Sequence, residues 1–131
     1  MKISKVLLVD DDVFIRRVSQ LTLSAVGGWE VAVASSGAQA LEMIVTEKPD
    51  LVLLDVMMPG MDGPTTLEKI REMHGAALPV IFMTAKVQQH EVESYLKSKA
   101  DGVITKPFDP MVLPSEIEAI VAARFSLSAT A

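Results

Sequence analysis

Three aspartates, Asp10-Asp11-Asp12, stand together after a short apolar run, Val6-Leu7-Leu8-Val9. A fourth, Asp55, closes a second run, Leu51-Val52-Leu53-Leu54. Thr84 follows Val80-Ile81-Phe82-Met83, and Lys106 follows Val103-Ile104 through Thr105. Carboxylates grouped without histidine or cysteine are hard oxygen ligands, suited to Mg²⁺. Within a few ångströms of one another they repel and raise some of their pKa values unless a cation offsets them. Lys106 supplies one fixed positive charge, and a divalent ion would supply more. A carboxylate in such surroundings can itself be a nucleophile and form an aspartyl-phosphate. Metal and lysine would then stabilise the oxygens of the transferring phosphoryl group, and the Thr84 hydroxyl could donate to a third.

These residues share a site only if the fold gathers the ends of the apolar runs. The three long runs are continuous rather than alternating, the pattern of strands buried on both faces of a parallel sheet. Val31-Ala32-Val33 and Val103-Ile104 are shorter versions. Helices are predicted between them. Residues 13–26 carry Phe14, Val18, Leu21 and Ala25 at helical spacing before Gly27-Gly28. Residues 37–47 follow Ser36 with Gln39 three on, a capping-box pattern, and turn Leu41 and Ile44 inward before Pro49. Residues 64–73 follow Asp62-Gly63-Pro64. Residues 86–98 are more polar, with Val92, Tyr95 and Leu96 as apolar contacts. Residues 110–124 follow Asp109, with a stripe of Leu113, Ile117, Ile120 and Val121 and with Pro114 in the opening turns. Five β–α units imply a doubly wound α/β domain. In such sheets, ligands bind beyond the carboxyl ends of the strands, where Asp10–Asp12, Asp55, Thr84 and Lys106 all fall.

Composition narrows the function classes. The chain has 131 residues, 17 acids against 12 bases, no cysteine and two histidines. That length suits one domain with a real core. A net charge of −5 argues against nucleic acid and against an anionic membrane surface. Absence of cysteine removes disulfides, thiolate catalysis and iron–sulfur clusters. The apolar part of the N-terminus is too short for a signal peptide, and no stretch nears the ~18 residues of a membrane span. The expectation is a cytoplasmic protein with one domain over 1–125, a short flexible tail over 126–131 and no output domain.

Every candidate has an ordinary role as well. Asp12 reads better as the N-cap of the first helix than as a metal ligand. Asp55 can close its strand in an Asx turn. Thr84 can be a plain strand end, and Lys106 a solvated loop charge. Four strand ends of complementary chemistry on one edge nevertheless fit chance poorly, so the joint functional reading is preferred.

Four stretches, in order and correctly spaced, carry a resemblance: Val6–Asp12, Leu51–Gly63, Ile81–Ala85 and Ala100–Phe108. Together they resemble the response-regulator receiver domain of two-component signalling, from about Lys5 to about Ala123. The resemblance implies a flavodoxin-like sheet in the order 2-1-3-4-5. It implies Asp55 as phosphoacceptor, with Mg²⁺ held by Asp11 directly, Asp10 largely through water, Asp55, and the backbone carbonyl of Met57. Thr84 would bond the phosphoryl group, and Lys106 would pair with Asp55 and then with the phosphate. The Lys106–Pro107 bond would be cis. The donor would be a phosphohistidine on a histidine kinase or phosphotransfer protein. Output would pass through the face of the 86–98 segment, the fifth strand and the last helix, to a partner or to a second copy.

The departures are specific. The position three before the lysine commonly holds Tyr or Phe in this family and here is Val103, so the usual aromatic switch is absent. Met57 and Lys86, two after the acceptor and two after the threonine, flank the phosphoryl group. Met57 cannot hydrogen-bond an attacking water, so slow self-dephosphorylation is expected; Lys86 reads first as a solvated helix start. His74 and His90 read as solvated, Arg16 and Arg17 as surface charges with a possible partner role, Phe14 as core, and Trp29 as packing at the entry to the second strand. Met57, Met58, Met61 and Met83 read first as loop and core packing.

Rivals from other classes are weaker. A flavin carrier of this topology needs a hydroxyl- and glycine-rich loop where three aspartates stand. A Mg²⁺ phosphohydrolase commonly needs an acid at the position of Met57. A scaffold that is never phosphorylated would not need the intact set of five. No external substrate turnover is expected.

Overall fold

Short apolar strands that each lead into an amphipathic helix have one economical solution, in which every strand returns parallel to the last. A computed structural model describes residues 3–85, 93, 94, 100–106 and 108–130, the segment from 125 onward by backbone alone. Its strands are β1 (Lys5–Val9), β2 (Glu30–Ala34), β3 (Leu51–Asp55), β4 (Val80–Thr84) and β5 (Gly102–Thr105). They form one sheet in the order β2-β1-β3-β4-β5. All pairings are parallel. The helices among the described residues are α1 (Val13–Ala25), α2 (Gly37–Glu47), α3 (Gly63–His74) and α4 (Leu113–Thr130). The segment expected as a helix over 86–98 lies outside the described residues apart from Glu93 and Ser94, and with it Lys86, His90, Val92, Tyr95 and Leu96.

Alternate residues of a strand point to opposite faces, and helices cover both. Leu7, Val52 and Phe82 pack with Ile44 of α2 and with Leu67 and Ile70 of α3. Leu8, Leu53 and Ile81 pack with Leu23 of α1 and with Ile117 and Val121 of α4. β3 and β4 are buried along their whole length, which is why their sequences do not alternate.

The caps follow the sequence closely. Asp12 Oδ1 accepts from Phe14 N and Ile15 N at 2.9 and 3.1 Å. Ser36 Oγ accepts from Gln39 N at 3.1 Å, while Gln39 Oε1 accepts from Ser35 N at 2.7 Å, one residue earlier than a reciprocal capping box. Asp62 Oδ1 accepts from Thr65 N at 2.9 Å. Asp109 caps a turn ahead of α4 rather than the helix itself: its Oδ1 accepts from Met111 N at 3.0 Å. Pro114 therefore sits at the second helical position, where no amide is missed. Trp29 is buried at the entry to β2, as expected.

Helix α1 is turned differently from its sequence pattern. Phe14 and Leu21 are 73% and 64% exposed, whereas Ser19, Thr22 and Leu23 are buried. Small side chains let the helix backbone approach the sheet, and Thr22 satisfies its hydroxyl on the Val18 carbonyl at 2.8 Å. The apolar residues Val13, Phe14 and Leu21 are left facing outward.

At the amino end of the sheet, opposite the acidic cluster, Asp101 is held between two arginines. Its Oδ2 is 3.0 Å from Arg71 Nη2 of α3, and its Oδ1 is 3.1 Å from Arg124 Nε of α4. Val80 N donates to Oδ2 at 2.8 Å. Arg71 Nη1 also donates to the carbonyls of Gly75 and Leu78, at 3.1 and 2.6 Å.

Candidate functional site

The strand ladders run on past their ends and place the polar residues side by side. Asp10 N donates to Ala34 O at 3.1 Å, Val56 N to Met83 O at 3.1 Å, and Lys106 N to Thr84 O at 2.8 Å. The sheet therefore brings Asp10, Asp55, Thr84 and Lys106 to one edge. Asp10, Asp55 and Thr84 are all buried, with Asp55 only 6% exposed. Asp11 is exposed beside them.

Asp10 has every polar atom engaged. Its Oδ1 accepts from Asp12 N at 2.9 Å and its Oδ2 from Lys106 Nζ at 2.7 Å. Its carbonyl accepts from Arg16 Nη1 at 2.8 Å. Asp55 is engaged on one oxygen: Oδ1 accepts from Met57 N at 3.3 Å and lies 3.3 Å from Lys106 Nζ. The Asx turn and the lysine contact therefore coexist on Oδ1, and no hydrogen bond or ion pair among the described residues falls on Oδ2. Lys106 stands closer to Asp10 than to Asp55, an asymmetry that the resemblance did not imply.

Electrostatics follow from this burial. Burial pushes the Asp55 carboxyl up from the usual 3.8 to about 6, and the Asp10 charge adds to the rise. The Lys106 charge and hydrogen bond and the Met57 amide pull it back only in part. For Lys106, burial favours the neutral amine, but the hydrogen bond and charge of Asp10 and the charge of Asp55 outweigh it, and its pKa is raised.

One carboxylate oxygen from each of Asp10, Asp11 and Asp55 lies within 4.8 Å of the others. The set is all-oxygen, partly exposed and short of cationic partners, which fits a hard divalent cation. Its spread suits an ion that keeps some of its own waters, as Mg²⁺ does. Asp12, committed to the α1 cap, is outside the set, as its capping role leads one to expect.

The loop that follows Asp55 is closed by Gly63. Gly63 N donates to Val56 O at 2.9 Å, and a Cβ at Gly63 would lie 2.6 Å from Asp55 O. Only glycine lets α3 begin this close to the acidic edge. Met57, within the loop, is 61% exposed, while Met58 and Met83 belong to the core. The methionine cluster is thus split between packing and surface. Val103 lies opposite Phe82 in the sheet and packs, half-buried, on the core. Lys86 and the Lys106–Pro107 bond lie outside the described residues.

Three readings of the sequence need correction. Phe14 is not core but the most exposed large apolar side chain among those described. Arg16 is not a free surface charge: it is half-buried and tied to the Asp10 carbonyl. His74 is not fully solvated, because its Nε2 is sealed from solvent and has no hydrogen-bond partner. Arg16 is the residue at the acidic edge whose contact the sequence did not show. Its only sequence signal is its place six residues after Asp10, where the second turn of α1 returns over the strand end.

Comparison with known proteins agrees with this geometry. The sequence profile of the response regulator receiver domain matches residues 6–118. The transcriptional regulatory protein CseB of Streptomyces coelicolor is 39% identical over 116 residues, covering 88% of this chain and 48% of that protein. The alkaline phosphatase synthesis transcriptional regulatory protein PhoP of Bacillus subtilis is 37% identical over 117 residues, covering 89% of this chain and 48% of that protein. The chain thus spans about half the length of these curated relatives. Among solved structures, the Vibrio cholerae chemotaxis protein CheY4 superposes with a TM-score of 0.83 at 28% identity, over 91% of this chain and 99% of that one. Fold, acidic edge and sequence profile agree, and the chain belongs to the response regulator receiver domain family.

Proposed function

We propose that this receiver domain accepts a phosphoryl group from a phosphohistidine onto Asp55. The observation that carries the reading is Asp55 itself: a buried carboxylate at a central strand end, with the Lys106 and Met57 contacts both on Oδ1 and none among the described residues on Oδ2. Oδ2 attacks the phosphorus, the phosphorus–nitrogen bond breaks, and its electron pair leaves on the imidazole nitrogen of the donor. Lys106, already shared between Asp10 and Asp55, moves toward a phosphoryl oxygen as negative charge arrives. Thr84, buried at the neighbouring strand end, bonds another. Asp10, Asp11, Asp55 and the Met57 carbonyl would hold Mg²⁺, which would supply positive charge against that of the transferring group.

The donor partner is a histidine kinase or a histidine phosphotransfer protein. The outward Val13, Phe14 and Leu21 of α1 support docking on that helix next to the acidic edge. Output passes through the face of the 86–98 segment, β5 and α4, to a downstream protein or a second copy. Val103 has no ring to swing there, so movement of the segment after Thr84 carries the signal. Met57 and Lys86 set the lifetime of the phosphoryl group, which is slow to hydrolyse. The protein works in the cytoplasm and turns over no external substrate. No helix among the described residues is long and apolar enough to cross a membrane.

Incubation with acetyl phosphate and Mg²⁺, followed by intact mass, tests the reading. One phosphoryl adduct is expected in the wild type and none in Asp55→Asn. A wild type that takes up no phosphoryl group from any donor points instead to a scaffold role.

A further inference from the structure

We propose that Arg16 is a positioning residue for the acidic edge, holding the turn that presents Asp11 to a divalent cation. The inference rests on the Mg²⁺ reading above and adds a residue to it. Asp11 has to be aimed by its backbone, because its side chain is exposed. Its leading peptide plane contains the Asp10 carbonyl, which receives Arg16 Nη1 at 2.8 Å. Two further bonds close the same turn: Asp12 N to Asp10 Oδ1 at 2.9 Å, and Arg16 N to Asp12 O at 2.9 Å. Arg16 thus grips the turn by its own amide and by its guanidinium. An Asp10 carbonyl fixed in this way leaves the Asp10–Asp11 peptide little freedom to rotate. The Asp11 oxygen then stays within 4.8 Å of those of Asp10 and Asp55.

Charge and geometry predict opposite signs, which makes the idea testable. Arg16 is a cation beside a cation site. If it acted by charge alone, its removal would tighten Mg²⁺ binding. If it acts by positioning, its removal loosens binding, because Asp11 must then be ordered at the moment the ion arrives. Arg17 is the control: it removes the same charge from the same helix and is exposed.

The experiment is Mg²⁺ titration calorimetry without phosphoryl donor on wild type, Arg16→Ala, Arg16→Lys and Arg17→Ala. Amide NMR of Asp11 and Asp12 in the metal-free proteins accompanies it. Arg16→Ala is expected to weaken Mg²⁺ binding about tenfold, the lower end for groups that orient metal ligands. It should also shift and broaden the Asp11 and Asp12 amides before any metal is added. Arg16→Lys, which keeps one donor, is expected to recover much of the loss and guards against a folding defect in the alanine variant. Arg17→Ala should bind as tightly as the wild type or slightly more tightly. Arg16→Ala binding as tightly as the wild type, with unchanged metal-free amides, overturns the proposal. A wild type that binds no Mg²⁺ overturns the Mg²⁺ reading and the proposal with it.

Discussion

Lys106 Nζ lies 2.7 Å from Asp10 Oδ2 and so belongs first to Asp10, with Asp55 at 3.3 Å as its second partner. The lysine is stored on a neighbouring carboxylate, within a small movement of the proposed acceptor. In the proposed Mg²⁺ reading Asp10 therefore has two jobs, one toward the cation and one toward the lysine. Lys106→Ala should leave two buried carboxylates facing each other. The Asp55 pKa should then rise above about 6, and phosphorylation by acetyl phosphate should slow by roughly tenfold or more. Adduct formation followed by mass across pH checks both effects.

Asp55 also makes stability depend on pH. Its carboxyl is raised from 3.8 to about 6 in the folded protein. Between those values the folded chain holds a proton that the unfolded chain has released. Stability is therefore highest below the unfolded pKa and falls as pH rises through about 6. Metal-free Asp55→Asn should lose this dependence and, at neutral pH, exceed the wild type by on the order of 2–3 kcal/mol. Urea unfolding at pH 4 to 8 without Mg²⁺ measures it. Added Mg²⁺ should return part of the difference to the wild type alone.

Phe14 separates partner docking from chemistry. A buried phenylalanine truncated to alanine costs about 3–5 kcal/mol. At 73% exposure, Phe14→Ala should cost at most roughly 0.5 kcal/mol and leave acetyl phosphate labelling unchanged. Transfer from a phosphohistidine partner should slow several-fold. Transfer from the phosphohistidine partner at the wild-type rate would remove α1 from the docking surface.

In the proposed reading, Met57 governs how long the phosphoryl group survives. Its side chain is exposed beside the acceptor and offers an incoming water no strong hydrogen bond. Met57→Asn should hasten phosphoryl loss several-fold, followed by intact mass after the donor is removed. A rate no faster than wild type would count against the role.

Asp101 should be a large single contributor to stability. It is buried with Arg71, and Asp101→Ala removes the carboxylate beside Arg71 and takes the acceptor from the Val80 amide. A loss of about 3 kcal/mol is expected by urea unfolding. Arg124→Ala, on an arginine whose side chain is 44% exposed, should cost less than about 1 kcal/mol.

The parallel sheet could be read in advance because Leu51–Leu54 and Val80–Met83 are continuous apolar runs, and only burial on both faces produces those. The acidic edge could be read because parallel strands put all their carboxyl ends together. The rotation of α1 could not. Phe14, Val18 and Leu21 make a better apolar stripe than Ser19, Thr22 and Leu23, yet the sheet takes Leu23 flanked by the small Ser19 and Thr22. Periodicity records hydrophobicity and not distance of approach. Arg16 was hidden for a similar reason, since a side chain that bonds a backbone carbonyl needs no complementary residue type. The position of Lys106 between two carboxylates was legible only as a charge balance, and which aspartate it favours turns on a side-chain distance of 2.7 Å against one of 3.3 Å.

Strand β5 is anchored at both ends by ion triads of opposite composition. Two anions flank Lys106 at one end, and two cations flank Asp101 at the other. These anchors are five residues apart, about 16 Å of extended chain. A tug on Lys106 cannot slide the strand lengthwise without drawing a buried aspartate away from its arginines. Such a tie-rod passes little axial motion to the far end of the sheet. In the proposed reaction, new negative charge at Asp55 acts first on the near end of β5 through Lys106, the end from which the proposed output face starts.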